Sequence, residues 1–220
     1  MKELALIGIL LAASTGVNAG TISTFTDRAT FDSNVGTTTL ENFTASPNFP
    51  IPGGSLSSTS SFGTLLAGDI QAGATYTSPV GSGNYFNIDA GGGFVGGFLD
   101  GFNPSDRDLT ITYSPLISAF GFETNSLMPN FDITINFLTG TSYTSNFSLV
   151  GSGLQFFGFQ SSATDIQSVV ISGNNSFFGF AIDNHVFGGT RAQSVPEPAT
   201  LALLGLGLLG MGLSRKKKAA

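Results

Sequence analysis

Apolar and polar residues alternate with a period of two along seven short runs between residues 20 and 194. In residues 131–137, FDITINF, four apolar side chains fall on one face and Asp132, Thr134 and Asn136 on the other. Such alternation predicts half-buried strands, and their spacing favours an all-β, antiparallel, jelly-roll-like sandwich. One short helix is expected at 26–33. The runs are 37–43, 109–113, 117–124, 131–137, 141–149, 166–172 and 177–187.

Two glycine patterns interrupt this alternation. Phe-Gly-Phe occurs at 120–122, 157–159 and 178–180, which puts two rings on one strand face and a glycine on the other. We interpret the rings as core and the glycines as points of close approach, with a sugar-stacking platform as the alternative. Residues 51–101 are rich in Gly, Ser, Thr and Pro, and we expect irregular strands and long loops there.

The N-terminus has the pattern of an export signal. Lys2 precedes an apolar run at residues 4–13, and small residues flank Asn18 at Val17 and Ala19. We therefore predict that residues 1–19 are a signal peptide, cleaved by signal peptidase between Ala19 and Gly20. The alternative is a retained anchor, which a run of about ten residues would make with difficulty.

The C-terminus has the pattern of a membrane anchor. Residues 199–213 are apolar or Gly except for Thr200, and as a helix they would extend over roughly 22 Å. The basic residues that follow are expected to stay in the cytoplasm, which leaves the body outside. Before the span, Pro196 and Pro198 keep the chain extended around the Glu197 carboxylate.

This tail resembles a known sorting signal. The motif Val195-Pro196-Glu197-Pro198, a Leu- and Gly-rich span and the basic run Arg215-Lys216-Lys217-Lys218 are similar to the PEP-CTERM signal. The resemblance implies a Gram-negative bacterium that makes exopolysaccharide, and an exosortase that recognises the motif and removes the tail. We therefore expect a signal peptide at 1–19, a sandwich domain at 20–194 and a sorting signal at 195–220. The body would be transiently held at the inner membrane and then lie at the outer surface or outside the cell.

The body resembles the jelly-roll domains that often precede such tails and look like carbohydrate-binding modules. The matching pieces are FTDRATFDS, LENF, AFGFE, FFGFQS and FGFAIDNHVFG. In such modules a structural calcium ion often joins the first strands to the last, and the matching positions are Glu41, Asp183 and Asn184. Oxygen ligands suit calcium. The alternative is that Asp183 and Asn184 cap a bend.

Charge and residue usage exclude several functions. Between Gly20 and Ser194 there are three basic and twelve acidic residues, a net charge of −9, so nucleic acid would be repelled. The chain has no Cys, and His185 is its one imidazole, so we predict no catalytic residues and interpret His185 as an ordinary strand residue. Asp100, Asp106 and Asp108 could supply paired carboxylates, but we interpret them as turn residues.

These observations favour a non-catalytic, exported protein of the cell surface or extracellular matrix, with exopolysaccharide as its partner. Tyr76, Tyr85 and Tyr143 are candidates for sugar contact, because tyrosine combines a flat ring with a hydroxyl. One alternative is a polysaccharide hydrolase or lyase built on the same sandwich. Another is a matrix component that binds proteins or associates with itself.

Overall fold

The computed structural model describes residues 21–44, 49–52, 55–78, 85–90, 97–102, 108–126, 128–173 and 180–189. The chain divides into two units, Met1–Thr190 and Arg191–Ala220, and all described residues belong to the first. They form one short helix and two antiparallel sheets, which confirms the predicted all-β sandwich. The predicted signal peptide, sorting signal and transmembrane segment lie outside the described residues, so the predicted domain bounds stay predictions.

One sheet contains eight strands. They are β1 Ile22–Phe25, β2 Thr38–Glu41, β3 Phe49–Pro52, β6 Tyr85–Ala90, β7 Gly97–Phe102, β9 Ala119–Thr124, β12 Gln155–Ser161 and β14 Phe180–Gly188. Their order is β1-β12-β9-β14-β7-β6-β3, with β2 also paired to β14. Strand β14 is therefore the one to which three others attach.

The other sheet contains six strands. They are β4 Ser55–Leu56, β5 Ala74–Thr77, β8 Asp108–Ile117, β10 Asn130–Phe137, β11 Ser142–Ser148 and β13 Ile166–Gly173. Their order is β11-β10-β13-β8-β5-β4. Strands β4 and β11 thus form its two edges.

All seven predicted runs contain strands, although the bounds shift. Strand β2 ends at Glu41, before Phe43, whose φ of 48° leaves the extended region. Strands β6 and β7 are more regular than predicted, because they pair continuously from Tyr85↔Phe102 to Ala90↔Gly97, whereas residues 57–73 form the expected long loop. Glycine lowers strand propensity, but pairing between neighbouring strands overrides it here.

The helix α1, Arg28–Val35, starts two residues later than predicted. Asp27 precedes it, and its carboxylate accepts a hydrogen bond of 2.8 Å from the Thr30 amide. This is an N-cap, which satisfies one of the amides that the first helical turn leaves without a partner. An ion pair of 2.8 Å between Arg28 and Asp32 links successive turns on the exposed side.

The core lies between the two sheets and is rich in phenylalanine. In β10 every second residue is buried, from Phe131 to Phe137. The rings of the first two Phe-Gly-Phe motifs are also buried, and Phe120 stacks on Phe159 with 4.9 Å between ring centroids. The interpretation of these rings as core is confirmed. Of the third motif, Phe180 is described and is buried.

The glycines of the first two motifs face away from that core. Gly121 and Gly158 lie opposite each other in the β9–β12 pair, and the ring of Phe156 covers both. A Cβ at Gly121 would lie 2.5 Å from Phe156 Cζ, and one at Gly158 would lie 2.6 Å from Phe31 Cδ2. Phe31 belongs to α1, so the glycines form a trough that lets the helix pack on the outer side of the sheet.

We expect Gly158→Ala to destabilise the fold by about 1–3 kcal/mol, because the added methyl group overlaps the Phe31 and Phe156 rings. Urea denaturation of the purified chain measures this change. The control is Gly153→Ala, where a Cβ would meet no atom within 4 Å. Equal effects at the two positions would show that the trough is not tightly packed.

Candidate functional site

Strand β14 changes partners in its middle. Residues Phe180 to Ile182 pair with β7, whereas His185 to Gly188 pair with β2. Asp183 and Asn184 lie between these two stretches, where the register against β9 also shifts. Asn184 has a φ of 47°, a conformation that asparagine adopts more readily than most residues. The irregular backbone thus coincides with the change of partner strand, and the Asn184 side chain reaches Glu123 of β9.

Two carboxylates meet beside this irregularity. Asp183 lies opposite Glu123 of β9, and the Asn184 side chain bridges them. Its Nδ2 donates to Glu123 Oε2 at 2.9 Å and to Asp183 Oδ2 at 3.3 Å, while the Asn184 amide donates to Asp183 Oδ1 at 2.6 Å. One asparagine therefore screens two like charges from each other.

Burial raises the pKa of Asp183 to about 7, and the negative charges of Glu123 and Glu41 act in the same direction. The hydrogen bond from the Asn184 amide opposes this shift but does not cancel it. The side chain of Asp183 is fully buried, so its ionised form loses most of its contact with water. Asp183 therefore takes up its proton near neutral pH.

Glu41, at the end of β2, serves the backbone. Its Oε1 accepts the Phe43 amide at 2.7 Å, and its Oε2 accepts the Gln71 amide at 2.6 Å. Burial raises the pKa of Glu41, and these amide hydrogen bonds partly offset the rise. The carboxylate ties the end of β2 to the segment before β5 and holds Phe43 in its left-handed conformation.

The predicted calcium ligands are only partly brought together. Asp183 and Asn184 join Glu123, which the sequence did not suggest, whereas both Glu41 oxygens accept backbone amides. Within the described part of the chain, no group of three or more His, Cys, Asp or Glu residues could hold a metal ion. As arranged, Asn184 donates to Asp183 and Glu123, while Glu41 accepts two backbone amides. Calcium at Glu41, Asp183 and Asn184 stays a prediction.

His185 connects the two sheets. Its Nδ1 lies 2.7 Å from the hydroxyl of Tyr76 in β5, and its Nε2 lies 3.1 Å from that of Tyr113 in β8. Burial lowers the pKa of His185 to about 3, so the ring is neutral. A neutral imidazole donates from one nitrogen and accepts at the other. One tyrosine therefore donates and the other accepts, and His185 has a specific bridging role beyond that of an ordinary strand residue.

The three tyrosines proposed for sugar contact have different positions. Tyr76 is fully buried, so this part of the prediction is wrong: the hydroxyl that suggested a ligand contact bonds to His185. Tyr85 lies in β6, and its side chain is outside the described residues. Tyr143 lies in the edge strand β11, half-buried against the core.

The acidic residues considered for catalysis do not form a described pair. Asp100 lies in β7 of the eight-stranded sheet, whereas Asp108 starts β8 of the six-stranded sheet. Asp106 lies outside the described residues, as does the side chain of Asp100. The interpretation as turn residues is therefore wrong for Asp100 and Asp108, which lie in strands, and stays a prediction for Asp106.

The outer side of the six-stranded sheet has a feature that the sequence reading missed. Its side chains form rows of hydroxyl and amide groups across the strands, and we call this surface the polar face. One row passes through Thr144, Thr134, Val170, Thr110, Thr77 and Ser55. The next rows are Ser142, Asn136, Ser168, Thr112 and Thr75, and then Asn146, Asp132, Ser172 and Asp108.

Hydrogen bonds between neighbouring strands hold these side chains in place. Thr134 and Thr144 hydroxyls lie 3.0 Å apart, and Asn136 Nδ2 donates to Ser168 Oγ at 3.1 Å. Asn146 Nδ2 donates to Asp132 Oδ1 at 2.6 Å. In these rows, Asp108 and Asp132 are the charged residues, so the polar face is far less charged than an average protein surface. The signal in the sequence is the Thr, Ser or Asn at alternate positions of each run.

The comparison with known families identifies the tail. Residues 194–216 match the PEP-CTERM protein-sorting motif, which confirms the predicted sorting signal and includes Val195, Pro196, Glu197 and Pro198. The match covers the tail alone and reaches Lys216 of the basic run. No curated protein and no solved structure matches the chain significantly. Among the described residues no helix has the length and apolar character needed to cross a membrane.

The pKa of Asp183 predicts a pH dependence of stability. The folded value of about 7 lies above the ordinary 3.8, so between these values the folded state binds more protons than the unfolded state. The contribution of Asp183 to the free energy of unfolding is then largest below pH 4 and is lost as pH rises toward 7.

We expect Asp183→Asn to remove this component. Relative to the wild type, the variant should gain stability between pH 4 and pH 8, measured by urea denaturation at a series of pH values. Thr112→Asn, an uncharged exchange at an exposed site of the other sheet, should keep the wild-type slope. If the free energy of unfolding of Asp183→Asn changes with pH in parallel with that of the wild type, the raised pKa of Asp183 is contradicted.

Proposed function

We propose that this exported protein is a non-catalytic component of the cell surface or extracellular matrix that associates with exopolysaccharide through its polar face. The sorting motif at 194–216 supports export and processing by an exosortase. The rows of hydroxyl and amide side chains on the six-stranded sheet carry the proposal for the body. Sorting and binding thus reside in separate parts of the chain.

The chemistry of the polar face suits a polyhydroxylated polymer. Hydroxyl and amide groups both donate and accept hydrogen bonds, as sugar hydroxyls do. Short side chains such as Ser and Thr lose less rotamer freedom than Lys, Arg, Gln or Glu when they are immobilised. Six strands spaced about 4.8 Å apart give a width of about 24 Å, which is enough for several sugar units.

The absence of catalysis in this proposal is supported by the burial of Asp183. Its raised pKa would suit a general acid, and Glu123 lies opposite it. However, the Asp183 side chain is fully buried, so a glycosidic oxygen cannot come within hydrogen-bonding distance of it. We therefore assign Asp183 to the structure of β14 and not to hydrolysis.

The proposed association is tested with Thr110→Val, Thr112→Val and Thr134→Val combined. This exchange removes three hydroxyls from the polar face, keeps side-chain shape and suits a strand. We expect affinity for purified host exopolysaccharide to fall about tenfold or more, at about 1 kcal/mol per hydrogen bond, measured by calorimetry. Thr24→Val on β1, exposed in the other sheet, is the control. Unchanged affinity in the triple variant, or shortening of the polymer by the wild type, would refute the proposal.

The sorting part is tested by fractionating the native host with and without its exosortase. The basic run and the apolar span predict that unprocessed chain stays at the inner membrane when the enzyme is missing. With the enzyme present, we expect a shorter chain beyond the inner membrane. Full-length chain among cytosolic proteins in both strains would contradict export.

A further inference from the structure

Strand β11 is an edge with hydrogen-bonding groups that face outward. It pairs with β10 on one side, and no other described strand pairs with it. Just beyond its two ends, Phe137 N donates to Thr141 O at 3.0 Å and Leu149 N donates to Pro129 O at 2.9 Å. Odd-numbered residues therefore bond toward β10. Because antiparallel pairs alternate, the amides and carbonyls of Ser142, Thr144, Asn146 and Ser148 point away from the sheet.

The other described edges are short or blocked, and β11 is neither. Strand β4 has two residues and β1 has four, while β3 contains Pro50 and Pro52. Strand β11 has seven residues, with no Pro, Gly or charged residue, and it pairs with β10 without a register shift. Natural sheets usually protect such an edge with charge, proline or a bulge. An unprotected edge of this length is suited to pairing with another strand.

The sequence of β11, SYTSNFS, is nearly symmetric about its central Ser145. If two copies of β11 pair antiparallel around a two-fold axis at Ser145, Ser142 faces Ser148 and Thr144 faces Asn146. These four residues carry the outward groups, so the copies can form about eight backbone hydrogen bonds. The alternation of β11 and the symmetry of its sequence therefore select the same register.

We propose that β11 pairs with β11 of a second copy of this chain, so that two six-stranded sheets join into one. On the core-facing side of the joined sheet, this pairing places Tyr143 of each copy against Phe147 of the other copy. Both rings are only half-buried in the single chain, and aromatic pairs across strands are favourable. Dimerisation completes the burial of two core-facing rings.

Two further observations support a second copy as the partner. Leu138, in the turn between β10 and β11, and Val150, two residues after β11, have exposed fractions of 62% and 87%. The two-fold axis brings the Leu138 end of one strand beside the Val150 end of the other. In addition, β11 is uncharged in a body of net charge −9, so two β11 strands can approach without opposing like charges. The inference does not depend on polysaccharide binding.

A single cysteine tests the register. The chain has no cysteine of its own, and the axis puts Ser145 opposite Ser145 in a pair without backbone hydrogen bonds, where Cβ atoms come closest. We expect full-length Ser145→Cys in mild detergent to form a covalent dimer under gentle oxidation, about tenfold faster than Thr112→Cys. Thr112 is exposed on the interior strand β8, so it controls for chance collision and for contacts through the tail.

Charged variants test the interface without covalent bonds, first with like charges in the two copies and then with opposite charges. Thr144→Lys with Asn146→Lys places like charges opposite each other, and the dissociation constant of the dimer, measured by sedimentation, should rise about tenfold or more. The matched pair Thr144→Glu with Asn146→Glu should also weaken self-association. Mixing the Lys and Glu proteins should restore dimers, which misfolded variants could not do.

The proposal is overturned if wild-type chain stays monomeric up to high concentration, as it would if another segment of the chain covers β11. It is equally overturned if Ser145→Cys is cross-linked no faster than Thr112→Cys, or if mixing the charged variants restores nothing. If the wild-type chain forms dimers through β11 but does not bind exopolysaccharide, only the proposed function is overturned. The two proposals can therefore fail separately.

Discussion

The burial of every second side chain between two sheets is the constraint on which this structure depends. The chain has no cysteine, and apolar contact between the sheets supplies the main attraction that a sandwich of this kind requires. In β10 the apolar residues are drawn inward by this contact. The backbone then turns the intervening residues outward. The polar face is thus a direct consequence of the packing of the core.

The same packing forces polar groups in the interior to satisfy one another. Strand β14 is bonded on both sides, and at Asp183 its partner on one side changes. There, Asn184 bridges two carboxylates, while His185 reaches two tyrosines of the opposite sheet. A buried polar group without a partner is costly, so each of these residues fixes the position of the next. The centre of the sandwich is held in register by hydrogen bonds as well as by rings.

The sorting motif indicates that the protein is exported, and the polar surface of the sandwich is what it would present outside the cytoplasm. The sorting motif occupies residues 194–216 and lies apart from the sandwich in the chain. The polar face and the edge strand β11 adjoin each other on the six-stranded sheet, since Thr144 and Asn146 belong to both. Pairing of two β11 strands would extend the polar face across two molecules. An extended sheet surface of that kind suits a repetitive polymer better than a small ligand, which usually requires a concave site.

Local patterns in the sequence were enough to predict seven of the fourteen described strands, the phenylalanine core and the sorting motif, because alternation and a contiguous motif are properties of neighbouring residues. Tertiary structure alone decided which strands became neighbours. It buried Tyr76 beneath β14, brought Glu123 to Asp183 and Asn184, and aligned threonines of separate runs into rows. Each of these arrangements joins residues tens of positions apart, and strand pairing over such distances depends on the packing of the whole core, which no single run encodes.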